Sequence, residues 1–133
     1  MKPLLVFLTV FIATLIISCD STEPTVGSNE DTVIPNLFFT VDTTYLDTAN
    51  NRLVAKGTVK NNGGSQVTSP WYVEAQFYTN ASRSTKLGGN YTEIGVPLST
   101  GQSTFWTINY SSQNVDVRDY PNFTVGDLRG IYK

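Results

Sequence analysis

Short runs of alternating apolar and polar residues fill the chain from Asn36 onward and predict β-strands. The clearest run covers residues 71–79, whose apolar positions are Trp71, Val73, Ala75 and Phe77. Alternation with a period of two is typical of a strand that buries one face. We expect this strand to lie in the centre of a sheet, with both tryptophans of the chain, Trp71 and Trp106, in the core.

Five further segments are rich in Thr, Val, Tyr and Phe and are bounded by turn-forming residues. They are residues 37–46, 52–60, 86–95, 103–110 and 123–132. In the second of these, Lys56, Thr58 and Lys60 share one face, which predicts a half-buried strand. In the segment 103–110, the adjacent Phe105 and Trp106 must face opposite sides unless a bulge intervenes, and the pattern does not decide which ring is buried.

The number and spacing of these segments predict an all-β fold. Six or seven antiparallel strands within residues 36–133 match the size and turn spacing of an immunoglobulin-like antiparallel β-sandwich. A small β-barrel is the alternative. No stretch after the leader repeats apolar residues at helical spacing, so no helix is predicted there.

The first residues of the chain have a different pattern. Lys2 is followed by an apolar run, residues 4–17, which is interrupted only by two threonines. A membrane-spanning helix needs about 20 apolar residues, so this run is too short for one. A basic start followed by an apolar run of this length is typical of a secretory signal peptide, which we place at residues 1–18.

The sequence Ile16-Ile17-Ser18-Cys19 resembles the lipobox of bacterial lipoproteins. The resemblance implies that Cys19 receives a diacylglyceryl group and becomes the acylated N-terminus of a membrane-anchored envelope protein. The alternative is an ordinary cleaved signal or an uncleaved anchor. Asp20 resembles a signal for inner-membrane retention in enteric bacteria, but other bacteria sort differently, so the membrane and its leaflet stay open. With the only cysteine acylated, no disulfide is expected.

Residues 20–35 have the composition of a linker. They contain four acids, two prolines and no base, without a hydrophobic period. Such a segment buries no apolar face, and sixteen flexible residues span roughly 20 to 25 Å. We therefore expect three parts: the signal peptide at 1–18, the acylated cysteine and an acidic tether at 19–35, and a folded domain at 36–133.

Three parts of the folded segment resemble the FxLYD-type domains of prokaryotic envelope proteins. They are Gly57-Thr58-Val59-Lys60-Asn61-Asn62-Gly63, the alternating strand 71–79, and Leu98-x-x-Gly101-Gln102-Ser103-x-Phe105. The resemblance covers about half of the mature domain, and only Tyr78 is retained from the name-giving Phe-x-Leu-Tyr-Asp pattern. It implies an extracytoplasmic immunoglobulin-like fold without a general catalytic activity.

Composition narrows the chemistry that the chain can perform. The 133 residues include no His and one Cys, which excludes a Ser-His-Asp or Cys-His arrangement and makes a zinc or copper site hard to assemble. The net charge of -2 gives no electrostatic reason to expect a nucleic-acid partner. We expect no enzyme activity, no cofactor and no metal.

Carboxylate pairs are the remaining candidates for chemistry. Two pairs are close in sequence: Asp116 with Asp119, and Asp42 with Asp47. A pair of carboxylates is the minimum for hydrolysing a glycoside, but acids in loops are usually solvated, which is our interpretation of both pairs. The second pair, with Asn50 and Asn51, offers oxygen ligands for Ca²⁺, although the spacing differs from the Asp-x-Asp-x-Asp-Gly loop.

The polar face of the strand at 71–79 is the best candidate for a binding surface. It alternates two rings with two hydrogen-bonding side chains: Tyr72, Glu74, Gln76 and Tyr78. Such a face can stack on sugar rings or contact a protein, and the alternative is a purely structural role. The sequence thus predicts a lipid-anchored envelope protein with a non-catalytic binding or structural module, with protein partners first and glycans second.

Overall fold

The computed structural model describes residues 31–133, which form two antiparallel β-sheets packed face to face. The strands are β1 (Thr32–Ile34), β2 (Leu37–Asp47), β3 (Arg52–Asn61), β4 (Trp71–Tyr78), β5 (Lys86–Ile94), β6 (Ser103–Tyr110) and β7 (Thr124–Tyr132). One sheet has four strands in the order β1-β7-β4-β5, and the other has three in the order β2-β3-β6. Within the described range, no helix is long and apolar enough to cross a membrane.

The predicted all-β sandwich is confirmed. Strands β2 to β7 match the six predicted strands to within one residue at each end, and β4 lies in the interior of its sheet as expected. The chain crosses between the sheets after β1, β3, β5 and β6, which gives the interleaved connectivity of an immunoglobulin-like sandwich. No ladder joins the two sheets within residues 31–133, so the barrel alternative is wrong. The only helical element there is a 3₁₀ turn, Val117–Asp119.

Strand β1 lies inside the segment that was predicted to be a linker. Its three residues pair antiparallel with Gly130, Ile131 and Tyr132 of β7. Three residues are too few to show a hydrophobic period, which is why the pattern did not predict this strand. The predicted domain start at Asn36 is therefore too late, since the sheet begins at Thr32. The predicted signal peptide, Cys19 and the first part of the linker lie outside the described residues.

The core lies between the two sheets and uses the alternate positions that the sequence predicts. The inward side chains of β4, which are Trp71, Val73, Ala75 and Phe77, are fully buried. The ring of Phe77 stacks against Tyr110 and Phe123, with centroids 5.4 Å and 6.0 Å away. Aromatic contacts of this kind add to the free energy that the buried area itself contributes.

The structure decides the orientation of Phe105 and Trp106. Trp106 is buried, and its indole N–H donates to the carbonyl of Thr58 at 3.1 Å. Its ring packs against Gly57 of the neighbouring strand. Phe105 therefore faces outward, and 79% of its side chain is exposed.

Asn61, at the end of β3, holds two loops together. It is the one buried polar side chain of the described residues. Its amide N–H groups donate to the carbonyls of Ser65 and Leu98 at 2.8 Å and 2.9 Å, and its oxygen accepts from the N–H of Gly63 at 2.8 Å. Two of the segments on which the FxLYD resemblance rests meet at this side chain, while the resemblance itself stays a prediction.

Candidate functional site

The predicted binding residues of β4 lie together on the outer face of the four-stranded sheet. Tyr72, Glu74 and Gln76 are only half-buried, so part of each side chain reaches solvent. Tyr78 is just 9% exposed, and the surface position predicted for it is therefore wrong. The aromatic pair expected to flank the polar side chains does not form an open platform.

Neighbouring strands already satisfy the polar atoms of this face. The guanidinium of Arg129, on β7, donates to Glu74 at 2.6 Å, and the Tyr78 hydroxyl donates to Asp127. The amide of Gln76 donates to Glu74 at 3.4 Å. Because these groups pair with one another, a ligand would have to break existing hydrogen bonds before it could form its own.

A third aromatic ring, which the pattern of β4 does not predict, lies on this face beside Tyr72 and Tyr78. Tyr91, on β5, is 49% exposed and meets Tyr72 edge to face, with centroids 5.7 Å apart. The ammonium of Lys133 lies 3.6 Å from the centre of the Tyr91 ring. A cation over an aromatic face is a favourable contact, and it covers the surface on which a sugar ring would stack.

The contact between Tyr78 and Asp127 predicts a change in alkaline stability. The hydrogen bond to Asp127, and secondarily burial, raise the pKa of Tyr78 above its usual 10. The protonated phenol therefore stabilises the fold below pH 10, and this stabilisation is lost as the pH rises through the raised pKa. We expect Asp127→Asn to lower that pKa, so that a spectrophotometric titration shows the buried tyrosine ionising at lower pH.

Asparagine is the matched substitution because residue 127 has a φ of 50°, a left-handed conformation that asparagine tolerates. A Tyr78→Phe variant identifies the group that titrates. In this variant, the ionisation at the raised pKa should be missing from the titration curve, because the Tyr78 phenol is absent. Superimposable titration curves for the wild type and Asp127→Asn would show that Asp127 does not control this group.

The predicted carboxylate pairs are engaged in local contacts. Asp116 accepts from the backbone N–H of Arg118 at 3.0 Å and caps the 3₁₀ turn on which Asp119 lies. Both of these acids are exposed. Asp47 accepts from Arg52 at 2.6 Å, and hydrogen bonds from Asn50 and Arg52 lower its pKa.

The predicted calcium ligands do not come together. Asp42 and Asp47 lie five residues apart on one strand, or about 17 Å at the rise of an extended chain. The side-chain amide of Asn50 donates to Asp47, and that of Asn51 donates to the carbonyl of Val115. Among residues 31–133, no group of three or more His, Cys, Asp or Glu is placed to hold a metal ion.

One groove beside β1 also lacks reactive groups. It has a volume of about 290 Å³ and lies between β1 and the loop that follows β3. Its lining includes Val33, Gln66, Val67 and Tyr132 and contains no charged side chain. We find no basis there for acid, base or nucleophilic chemistry.

The outer face of the three-stranded sheet has a different character, and we call it the aromatic face. Its side chains lie in four rows across β2, β3 and β6. The rows are Phe38–Lys60–Ser103, Thr40–Thr58–Phe105, Thr43–Lys56–Thr107 and Tyr45–Val54–Asn109. Three of its rings are exposed: Phe105 by 79%, Phe38 by 58% and Tyr45 by 43%.

The groups between these rings are small hydroxyls and lysines. The hydroxyls of Thr40 and Thr58 lie 2.7 Å apart, and Asp42 accepts from both. Lys56 lies 5.4 Å from the centre of the Tyr45 ring. Neither Lys56 nor Lys60 forms an ion pair with an acid of residues 31–133. In contrast to the face of β4, this surface presents two rings that are more than half exposed, Phe38 and Phe105, and two lysines that pair with no acid of residues 31–133.

Comparison with known proteins does not assign a function to either sheet face. Neither a family model, nor a curated protein, nor a solved structure matches the chain.

Proposed function

We propose that this chain is a lipid-anchored protein of the bacterial cell envelope whose β-sandwich is a non-catalytic binding module. The leader with its Ile16-Ile17-Ser18-Cys19 sequence supports the anchor. One observation above all supports the binding role: the aromatic face exposes three rings on regular strands, and Phe105 is 79% exposed.

The exposure of these rings is hard to explain by folding alone. Exposed apolar residues that stand singly are common on protein surfaces, whereas three exposed rings on one sheet face, with hydroxyls and lysines between them, favour a binding role. Phe105 faces away from the core, so it contributes little to the sandwich. Burial of a phenylalanine side chain is worth about 1.5 to 3 kcal/mol, which is available to a partner that covers it.

Removal of two rings should weaken attachment to the envelope. Within residues 31–133, every core residue lies between Ile34 and Ile131, so the chain 21–133, which lacks Cys19, keeps both described sheets. We expect this chain to co-sediment with washed envelopes of the producing cells. The double variant Phe38→Ala/Phe105→Ala should bind at least about tenfold more weakly, because truncating exposed aromatic anchors removes the contacts that dominate such interfaces.

Tyr91→Ala is the matched control, since it removes a half-exposed ring from the outer face of the other sheet. We expect its co-sedimentation to stay within about twofold of the wild type, and circular dichroism should show all three proteins folded. If Tyr91→Ala loses binding and the double variant retains it, the binding surface is on the other sheet.

The anchor gives a separate prediction. In cells supplied with a labelled palmitate analogue, the full-length chain should incorporate the label and partition into the detergent phase of Triton X-114. Cys19→Ser should do neither, because acyl chains supply the membrane affinity. The double variant Cys19→Ser/Ser21→Cys restores a cysteine two residues downstream and should not regain the label. Labelling of that variant, or of Cys19→Ser, would refute the lipobox assignment.

A further inference from the structure

We propose that the ligand of the aromatic face is an acidic polysaccharide that lies across strands β2, β3 and β6. This inference rests on the proposed function, because it names the partner of the same surface. Three properties of the aromatic face support the acidic polysaccharide: the separation of its rings, the hydroxyl groups between them, and the two lysines on its central strand.

The rings are separated from one another. Phe38 and Phe105 lie on the two outer strands of the sheet, one row apart, with Lys60 and Thr58 of β3 between them. At the usual strand spacing and rise, their Cα atoms are about 12 Å apart. A protein interface is expected to bury a contiguous apolar core, whereas a chain of sugar rings offers one apolar C–H face at each unit. Separate rings therefore favour a polysaccharide.

Hydroxyl groups fill the space between the rings. Thr58 lies beside Phe105, Ser103 lies beside Lys60, and Thr107 lies beside Lys56. A hydroxyl both donates and accepts, so those of Ser103 and Thr107 can match a sugar hydroxyl in either orientation, whereas the Thr58 hydroxyl already bonds to Thr40 and Asp42. An extended glycan can therefore stack on a ring and form hydrogen bonds beside it without leaving the plane of the sheet.

The face carries two lysines and one acid, Asp42, whose carboxylate accepts hydrogen bonds from Thr40 and Thr58. Its lysines outnumber its acids, so it favours a negatively charged ligand. Lys56 and Lys60 point outward from the central strand, about 13 Å apart at the strand rise. In contrast to Arg52, Arg129 and Lys133, they form no ion pair with an acid of the described residues. Lysine is depleted in protein interfaces, which argues against a protein occupant, while a carboxylate or sulfate on a sugar supplies the missing counter-charge.

Affinity electrophoresis in gels that contain a polysaccharide tests this proposal with the chain 21–133. We expect retardation by polygalacturonate, an acidic polymer, and none by dextran, a neutral one. Phe105→Ala should weaken the apparent affinity for polygalacturonate about tenfold. Lys56→Gln/Lys60→Gln should weaken it about fivefold and remove most of its salt dependence.

Lys86→Gln is the charge control for the single variants Lys56→Gln and Lys60→Gln, since each of the three removes one positive charge. Lys86 lies on β5, in the other sheet, and it also forms no ion pair within residues 31–133. Its loss should leave the retardation unchanged, because it does not share the aromatic face. An equal effect of Lys86→Gln would show that net charge alone drives the retardation, and it would overturn the proposal.

Two further outcomes separate this proposal from the proposed function. If polygalacturonate and the acidic hyaluronan both fail to bind while envelope co-sedimentation still requires Phe38 and Phe105, the binding module stands and the acidic polysaccharide is refuted. Loss of that co-sedimentation after protease treatment of the envelopes would then identify a protein partner. Binding to phosphatidylglycerol vesicles without binding to either polysaccharide would identify a lipid surface, and it would also overturn the proposal.

Discussion

Replacing Gly57 with alanine is expected to destabilise the sandwich by about 3 kcal/mol or more, a large part of the roughly 5 to 15 kcal/mol that holds a domain of this size together. A methyl group at this position would overlap the carbonyl oxygen of Thr40 and lie 2.5 Å and 2.8 Å from two ring atoms of Trp106. Neither neighbour can yield easily. The carbonyl belongs to the backbone of the paired strand, and the indole is buried with its N–H bonded to Thr58.

Thermal and urea unfolding of the chain 21–133 measure this effect. A loss of about 3 kcal/mol corresponds to a fall in Tm of roughly 12 to 24 °C for a domain of this size. Gly64→Ala is the matched control, because a methyl group there meets no atom within 4 Å. We expect that variant to unfold within a few degrees of the wild type. A Gly57→Ala protein with an unchanged Tm would contradict the packing described for Trp106.

Replacing Asn61 with alanine is expected to cost about 2 to 4 kcal/mol. The substitution removes three hydrogen bonds: the N–H of Gly63 and the carbonyl of Ser65 lose their partner on Asn61, while the carbonyl of Leu98 keeps only its bond from the backbone N–H of Val67. The cost of an unpaired buried group exceeds the net worth of the hydrogen bond itself. We expect the loops on either side of this contact to loosen before the sheets separate.

Hydrogen exchange together with urea unfolding checks this prediction. The amides of Gly63 and Val67 should lose protection in Asn61→Ala, because their loop is no longer tied to the end of β3. Asn62→Ala, at the exposed neighbouring position, should unfold like the wild type. Equal stability of both variants would mean that Asn61 does not hold the loops.

Regular alternation explains why most strands could be predicted from the sequence. On β4, one face is buried in the core and the other is partly solvated as far as Phe77. Apolar and polar residues therefore alternate along this stretch of the sequence, and the alternation shows where the strand lies. The prediction failed at β1, because three residues are too short to show a period. Its position beside β7 depends on contacts that are about 100 residues away in sequence.

Burial on the outer faces was harder to predict than burial in the core. By its place in the alternation, Tyr78 should be a surface residue. In the structure its hydroxyl donates to the carboxylate of Asp127 on β7. Asp127 has a left-handed backbone conformation, and the register between β4 and β7 shifts nearby. A local pattern on β4 carries no information about the strand beside it. The four predicted binding residues were therefore placed on one face correctly, while the pairing of Glu74 with Arg129 and of Tyr78 with Asp127 was not foreseen.

The aromatic face was missed for a related reason. A bulge between Val41 and Thr43 shifts the alternation of β2, so that Phe38 and Tyr45, both of which face outward, lie an odd number of residues apart. Phe105 and Trp106 are neighbours, and either ring alone fits a core position. Trp106, Ile108 and Tyr110 alternate with the polar residues Thr107 and Asn109. This alternation indicates that Trp106 is on the buried side of β6 and Phe105 on the exposed side.

The central claim is that the aromatic face is the surface that binds the envelope. Photo-crosslinking in the producing cells tests it most directly, with p-benzoylphenylalanine placed in the full-length chain at position 105 or at position 91. Both positions hold exposed rings, one on each sheet. The account predicts a high-mass adduct from position 105 and none from position 91. An adduct from position 91 with none from position 105 would contradict it.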